Sequence, residues 1–181
     1  LIVALGALAL MLAEAFSRLR NEAQESPSAS LSTGSAIVLL AAFTATMGVW
    51  MVGPENLPGA VALAPWLLID RFSLFFFALL TLGAMLTVLY AGGYLPEHKL
   101  DRGEFYPLVL LATAGAMALS AAGDLLTLFI GLETMSLGVY AMVAFRRGSP
   151  RSIEASLKYF LLGAFAAALL LYGGALLYGA T

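Results

Sequence analysis

Six apolar stretches, each near the length of a helix that crosses a bilayer, make up most of this chain: residues 1–16, 34–52, 71–90, 105–122, 125–145 and 152–178. About 20 apolar residues in a helix cross a ~30 Å hydrocarbon core. Hydrophobic residues are 61% of the sequence and charged residues 11%, where a soluble domain carries about 25% charged residues. A mean hydropathy of +0.94 would leave too much apolar surface in water. The solvent of this chain is lipid. The expected fold is an all-α polytopic membrane protein with six transmembrane helices.

The segments between these spans are the polar ones. Residues 17–33 hold Ser, Glu, Arg and one Pro and read as an aqueous loop. The second span stops at Gly53-Pro54, and three prolines keep the middle of 54–70 from being helical. The third span is expected to end at Gly92-Gly93, before the charged loop 94–104. Pro107 falls in the first turn of the fourth span, where a missing N–H costs little. Asp124 is placed to cap the fifth span, and the loop 146–151 leads into the sixth.

Charge fixes an orientation. Arg18, Arg20, Lys99, Arg102, Arg146, Arg147, Arg151 and Lys158 fall on one side or just inside it, and only Arg71 falls on the other. Basic residues accumulate on the cytoplasmic side, so loops 17–33, 94–104 and 146–151 are expected in the cytoplasm, at an inner (plasma) membrane. Tyr159 and Tyr178 stand 19 residues apart, about 28 Å along a helix, which suits the two interfacial belts. The apolar run at 1–16 has no basic segment before it, unlike a cleaved signal peptide, and reads as a helix whose beginning is missing.

The same composition excludes several function classes. The net charge of −2 leaves no basic face for nucleic acid. Without cysteine, disulfides, iron–sulfur clusters and thiolate zinc sites are impossible in this chain. The one histidine, His98, lies between Glu97 and Lys99 and reads as a solvated loop residue. No phosphate loop, nucleophile triad or metal-ligand spacing appears. Gly163, Gly173 and Gly174 read as close-packing positions within an apolar helix.

Glu133 is the exception to the apolar pattern. It stands alone near the middle of 125–145, and Ser136 and Tyr140 continue its face of the helix as a polar stripe. An ionisable group at that depth costs at least a few kcal/mol, so it persists with a partner, a water path or a task. Proton handling is the first reading, and a protonated, hydrogen-bonded structural Glu is the plain one. Lys158, two turns into the last span, either snorkels to the interface or pairs with Glu154 one turn before it. No other cation in the chain is deep enough to answer Glu133, so its partner is expected beyond residue 181.

The run Asp124-Leu-Leu-Thr-Leu-Phe-Ile-Gly-Leu-Glu133-Thr-Met-Ser136-Leu-Gly-Val-Tyr140 resembles the fifth helix of the antiporter-like subunits of respiratory complex I. Ser152-Ile-Glu154-Ala-Ser-Leu-Lys158-Tyr-Phe-Leu-Leu-Gly163-Ala resembles the start of their sixth. Glu104-Phe-Tyr-Pro-Leu and Leu171-Tyr-Gly-Gly fit as well, and the residues around Lys158 look like the subunit N branch of NADH–quinone oxidoreductase. The resemblance is specific for 104–178 and rests on helix count and orientation before that.

The family pattern implies about fourteen helices with two inverted repeats, so this chain would be roughly the N-terminal two-fifths of a subunit. Residues 1–103 would be helices one to three, and 104–181 the start of the antiporter-like core. Glu133 would match the family's key carboxylate and Lys158 a lysine of its sixth helix. The lysine partner of the carboxylate belongs to the seventh helix. The resemblance implies proton translocation coupled to electron transfer from NADH to quinone, with flavin, iron–sulfur clusters and quinone on other subunits and no cofactor in this chain. Partners would be the other membrane subunits and the lipid bilayer. The alternatives are a subunit of a cation/proton antiporter or membrane-bound hydrogenase, and a structural membrane scaffold. The orientation is testable: a cysteine replacing Ser149 should react with impermeant thiol reagents only from the cytoplasmic side, and labelling from outside intact cells would reverse the topology.

Overall fold

The computed structural model describes residues 1–20, 28–56, 63–98, 100 and 102–180, with the side chains of 17–20, 28 and 29 outside that description. Among the described residues there are six α-helices: α1 (Ile2–Arg20), α2 (Ser28–Val52), α3 (Arg71–Glu97), α4 (Phe105–Ser120), α5 (Leu125–Val143) and α6 (Pro150–Ala180). A 3-10 turn, Pro54–Asn56, follows α2. Four segments are long and apolar enough to cross a membrane: Ser30–Val52, Arg71–Glu97, Leu125–Val143 and Pro150–Ala180. The apolar helices Ile2–Phe16 and Phe105–Ser120 are shorter.

The helices run past several of the boundaries expected from sequence. The polar stretch 17–33 is not all loop: α1 continues to Arg20 and α2 begins at Ser28. Serine and threonine lower helix propensity only by tenths of a kcal/mol each, too little to stop a helix that tertiary packing favours. Likewise α3 does not stop at Gly92-Gly93 but continues to Glu97, with Pro96 in its last turn. Leu95 is buried there, so packing holds that last stretch in place. Lys99 and Asp101, assigned to the loop that follows, lie outside the described residues.

Other boundaries follow local chemistry. Gly53 ends α2 with φ +90, a conformation that favours glycine at a helix C-terminus. Asp70 caps α3: its carboxylate accepts from the Ser73 N–H at 2.7 Å, and Ser73 Oγ accepts from the Asp70 N–H at 2.9 Å. Asp124 caps α5 as its sequence position implied, accepting from the Thr127 N–H at 2.7 Å. Pro107 lies in the first turn of α4, and Pro150 is the first residue of α6. The turn between α4 and α5 is tied to the segment before α3 by backbone bonds from Leu68 N–H to Ala121 O (2.8 Å) and from Gly123 N–H to Trp66 O (2.7 Å).

One apolar core joins the first four helices. Val3 and Ala7 of α1, Leu39 of α2, Val88 of α3 and Tyr106 and Leu110 of α4 belong to it, with Tyr106 only 1% exposed. By contrast, α6 packs on α5 and is exposed along most of its length, with Ala167 its one buried residue.

The closest approach is between α4 and α5, where three glycines let the backbones meet. A side chain at Gly131 would lie 2.6 Å from the Leu119 nitrogen, one at Gly138 3.0 Å from the Ala112 methyl, and one at Gly115 would strike the Met135 backbone. These contacts are the small-residue packing typical of membrane helices. The glycines singled out from the sequence divide differently. Gly163 does face another helix, against the Tyr140 hydroxyl, whereas Gly173 and Gly174 have no heavy atom within 4 Å of where a Cβ would stand.

Gly131→Val and Gly163→Leu are therefore expected to lower stability by about 1–3 kcal/mol, the usual cost of overpacking, while Gly173→Ala and Leu161→Phe are tolerated. Thermal unfolding of the detergent-solubilised protein would check this, and equal midpoints for all four variants would refute the packing described.

Candidate intramembrane carboxylate site

The α4–α5 seam decides where Glu133 points. Gly131, Met135 and Gly138 face α4. Glu133 comes two residues after Gly131, about 200° further around a helix of 3.6 residues per turn, and so occupies the opposite side of α5. It is the ninth of 19 residues and the one charged residue of that helix. Its side chain is half-buried, flanked on the same face by exposed Ile130 and Leu137. Among the described residues Glu133 has neither a hydrogen bond nor an ion pair.

Ser136 and Tyr140 share this face, as the spacing implies, but no hydrogen bond joins the three among the described residues. Tyr140 is 8% exposed and turns its hydroxyl toward Gly163 of α6. The rings of Tyr159 and Phe160 close around it edge-on, with centroids at 5.0 and 5.6 Å. The stripe thus runs from an open carboxylate to a tyrosine locked into the α5–α6 contact.

Two serines fasten that contact. Ser152 Oγ donates to Val143 O at 2.6 Å and Ser156 Oγ to Tyr140 O at 3.1 Å. Carbonyls in the last turn of a helix lack intrahelical partners, and Ser152 supplies a donor to that of Val143; Tyr140 O already accepts from the Ala144 N–H at 3.3 Å, and Ser156 adds a second donor. Toward their other ends α5 and α6 line an apolar cleft of about 1210 Å³, between Leu125, Leu126 and Phe129 on one wall and residues 169–171 and 173–178 on the other.

Lys158 is not brought to Glu133. It follows Ser156 by two residues and so projects from the side of α6 away from α5. Its ammonium donates to Glu154 Oε1 at 2.5 Å, with the two side chains 71% and 63% exposed. A pair one turn apart supports a helix by only about 0.2–0.5 kcal/mol. Of the two residues singled out from the sequence, Glu133 is half-buried at mid-helix on the side of α5 away from α4, and Lys158 is exposed.

Two acidic residues carry more structure than their sequence positions suggested. Glu104, just before α4, accepts from Arg147 in the α5–α6 loop at 2.6 Å, across 43 residues of sequence. The loop arginines had been read only as markers of orientation, and no local periodicity could have paired them with α4. Glu14 of α1 is 5% exposed and lies against Gly103, where a side chain would stand 2.8 Å from its carboxylate. His98 is exposed, stacks on Tyr94 at 3.9 Å and caps the end of α3. Among the described residues no three His, Cys, Asp or Glu converge on a metal-sized space.

Comparison with known proteins places this geometry. Residues 122–181, the span that contains Glu133 and Lys158, match the family described as NADH:quinone oxidoreductase/Mrp antiporter, transmembrane. NADH-quinone oxidoreductase subunit N 1 of Sorangium cellulosum is 61% identical over 184 residues, which is all of this chain and 36% of that protein. Subunit N of Trichlorobacter lovleyi is 47% identical over 62% of this chain and 23% of its own length. The fold matches a chain of respiratory complex I from Thermus thermophilus with a TM-score of 0.72 at 32% identity, covering 99% of this chain and 36% of that one. It also matches an archaeal membrane-bound sulfane sulfur reductase, with a TM-score of 0.75 at 25% identity over the whole chain and 38% of that one. This chain thus spans about a third of the length of the relatives that it matches from end to end. Agreement in sequence along its full length, and in fold with a complex I chain, establishes that it belongs to the NADH-quinone oxidoreductase subunit N family.

Proposed function

We propose that this chain is the N-terminal part of a membrane-arm subunit that helps to translocate protons while electrons pass from NADH to quinone. The observation that carries the reading is Glu133: a single carboxylate at mid-helix, on the face of α5 turned away from α4, in a segment matching the antiporter family. Its counter-charge would be a buried lysine on a later helix. While the carboxylate is near, it favours the charged form of that lysine; when the two separate, the lysine's proton affinity falls and it releases its proton. Lys158 would serve the path at its cytoplasmic end rather than as the direct partner, because its side chain is turned outward.

In this reading the chain alone is not catalytic. Flavin, iron–sulfur clusters and quinone belong to other subunits of the complex, and the other membrane subunits and lipid are its neighbours. All six helices cross the inner (plasma) membrane, α1 and α4 being the short ones, within a subunit of about fourteen. The loops 17–33, 94–104 and 146–151 face the cytoplasm. Residues 104–181 open the antiporter-like core, and 1–103 precede it.

A second reading is a related membrane complex with another electron-transfer partner, such as a membrane-bound hydrogenase, or a cation/proton antiporter. The likeness to the sulfane sulfur reductase favours it at the level of fold. The 61% identity to a subunit N supports the first reading. Co-purifying subunits would separate them: flavin and iron–sulfur subunits for complex I, a nickel subunit for a hydrogenase, neither for an antiporter.

The decisive test is Glu133→Gln in the assembled complex, since it keeps shape and hydrogen-bonding capacity and removes only the charge. Assembly is expected to persist while the protons moved per NADH fall, with Glu133→Asp milder. Unchanged stoichiometry in an assembled Glu133→Gln complex would make Glu133 structural.

A further inference from the structure

Four residues of α5 carry hydroxyl groups: Thr127, Thr134, Ser136 and Tyr140. Three of them are committed. Thr127 Oγ1 donates to Asp124 Oδ2 at 3.1 Å within the N-terminal cap. Thr134 Oγ1 donates to Ile130 O at 2.8 Å, one turn back along its own helix, as Thr46, Thr81 and Thr113 do in theirs. Tyr140 turns its hydroxyl to Gly163 of α6. Ser136 is the exception: it is half-buried, and its Oγ has no hydrogen bond among the described residues. It follows Glu133 by three residues, which sets the two Cβ atoms about 5–6 Å apart on one helix face. It also precedes Gly138 by two, and so faces away from α4 as Glu133 does. An unspent hydroxyl therefore stands one turn from an unspent carboxylate, with no direct bond between them.

We propose that Ser136 is a positioning residue for Glu133: its hydroxyl holds one water against the carboxylate, on the side of α5 turned away from α4. Two polar groups on neighbouring positions that make no direct bond are commonly joined by a water, which bonds nearly as well as a direct contact. The inference rests on the proton-translocation reading above and supplies something that reading needs. When Glu133 and its counter-charge separate, the carboxylate is left in a medium that offers no donor of its own. A water held by Ser136 gives it one, at a fixed place on the helix, and a bond to a charged acceptor is among the stronger ones. Tyr140 does not take this part, because its hydroxyl is packed into the α5–α6 contact. Nor does Thr134, whose hydroxyl is spent on its own backbone. A serine kept only for its small size would be replaceable by alanine, and that difference is measurable.

The test is the ordered water at this face of the assembled complex, read by electron cryo-microscopy, together with the protons moved per NADH. The intact complex is expected to show one water within hydrogen-bonding distance of both Ser136 Oγ and the Glu133 carboxylate. Ser136→Ala should assemble, lose that water and move fewer protons per NADH, and Ser136→Thr should restore both. Ser136→Ala should add nothing to the loss in Glu133→Gln, because the two residues act at one point. Thr134→Val, whose lost hydroxyl served only its own backbone, should leave pumping unchanged. No water between the two groups in the intact complex, or the same water in Ser136→Ala, would overturn the site. Unchanged pumping in Ser136→Ala, with the water gone, would overturn the positioning role and leave Ser136 a small packing residue. Because the water is read directly, unchanged pumping in Glu133→Gln would sink the translocation reading, and the role with it, but not the bound water.

Discussion

The arrangement depends on how closely α4 and α5 approach. In lipid, apolar side chains gain little by leaving their solvent for one another, so association rests on packing and on small residues that let backbones meet. Gly115, Gly131 and Gly138 supply that approach. Once the Gly131–Gly138 face of α5 is committed to α4, helical geometry commits Glu133 to the other face. A carboxylate whose orientation follows from steric exclusion on the far side of its helix needs no polar contact to hold it there. It can therefore be left half-buried and unbonded within this part of the fold.

The second fixed point is the α5–α6 junction. Ser152 and Ser156 bond the last carbonyls of α5, and Tyr140 fills the space that Gly163 leaves open. The polar groups of this region are thus divided by task. Ser152 and Ser156 are spent on structure, and Tyr140 is held at its backbone and ring, while Glu133 and Ser136 are not. Beyond Gly163 the two helices line a wide apolar cleft, so the carboxylate lies between a tight junction and an open one.

Much of the fold was legible because membrane helices are announced by length and composition. The fifth and sixth spans came within two residues of α5 and α6, and Asp124 was readable as a cap because an Asp immediately before an apolar run has a specific partner in the N–H three residues on, here that of Thr127. The misjudged ends have a common cause. Polar residues at 17–20 and 28–33, and the Gly92-Gly93 pair, carry weak local penalties, and packing by neighbouring helices outweighs them. Gly173 and Gly174 show the converse error, since a small residue is permitted, not obliged, to sit at a helix contact. The seam glycines Gly131 and Gly138 carried a usable signal in their seven-residue spacing, which repeats the same helix face. Glu133 stood out because nothing else in its helix is charged, whereas the Glu104–Arg147 pair links distant segments and no local pattern could supply it.

Lys158 shows how far identity of residue and geometry of site can part. Lys158 matches a family lysine, its sequence position suits snorkelling or a pair with Glu154 rather than contact with Glu133, and α6 turns it outward because Ser156, two residues earlier, is bound to α5. With half a helical turn between them, Ser156 and Lys158 cannot both face the same neighbour. Rotating α6 by about half a turn would break the serine bonds and drive Gly163 out from under Tyr140, and would still leave Lys158 beside the Tyr140 end of α5, about two turns along that helix from Glu133. The register of that junction therefore keeps the two ionisable groups apart.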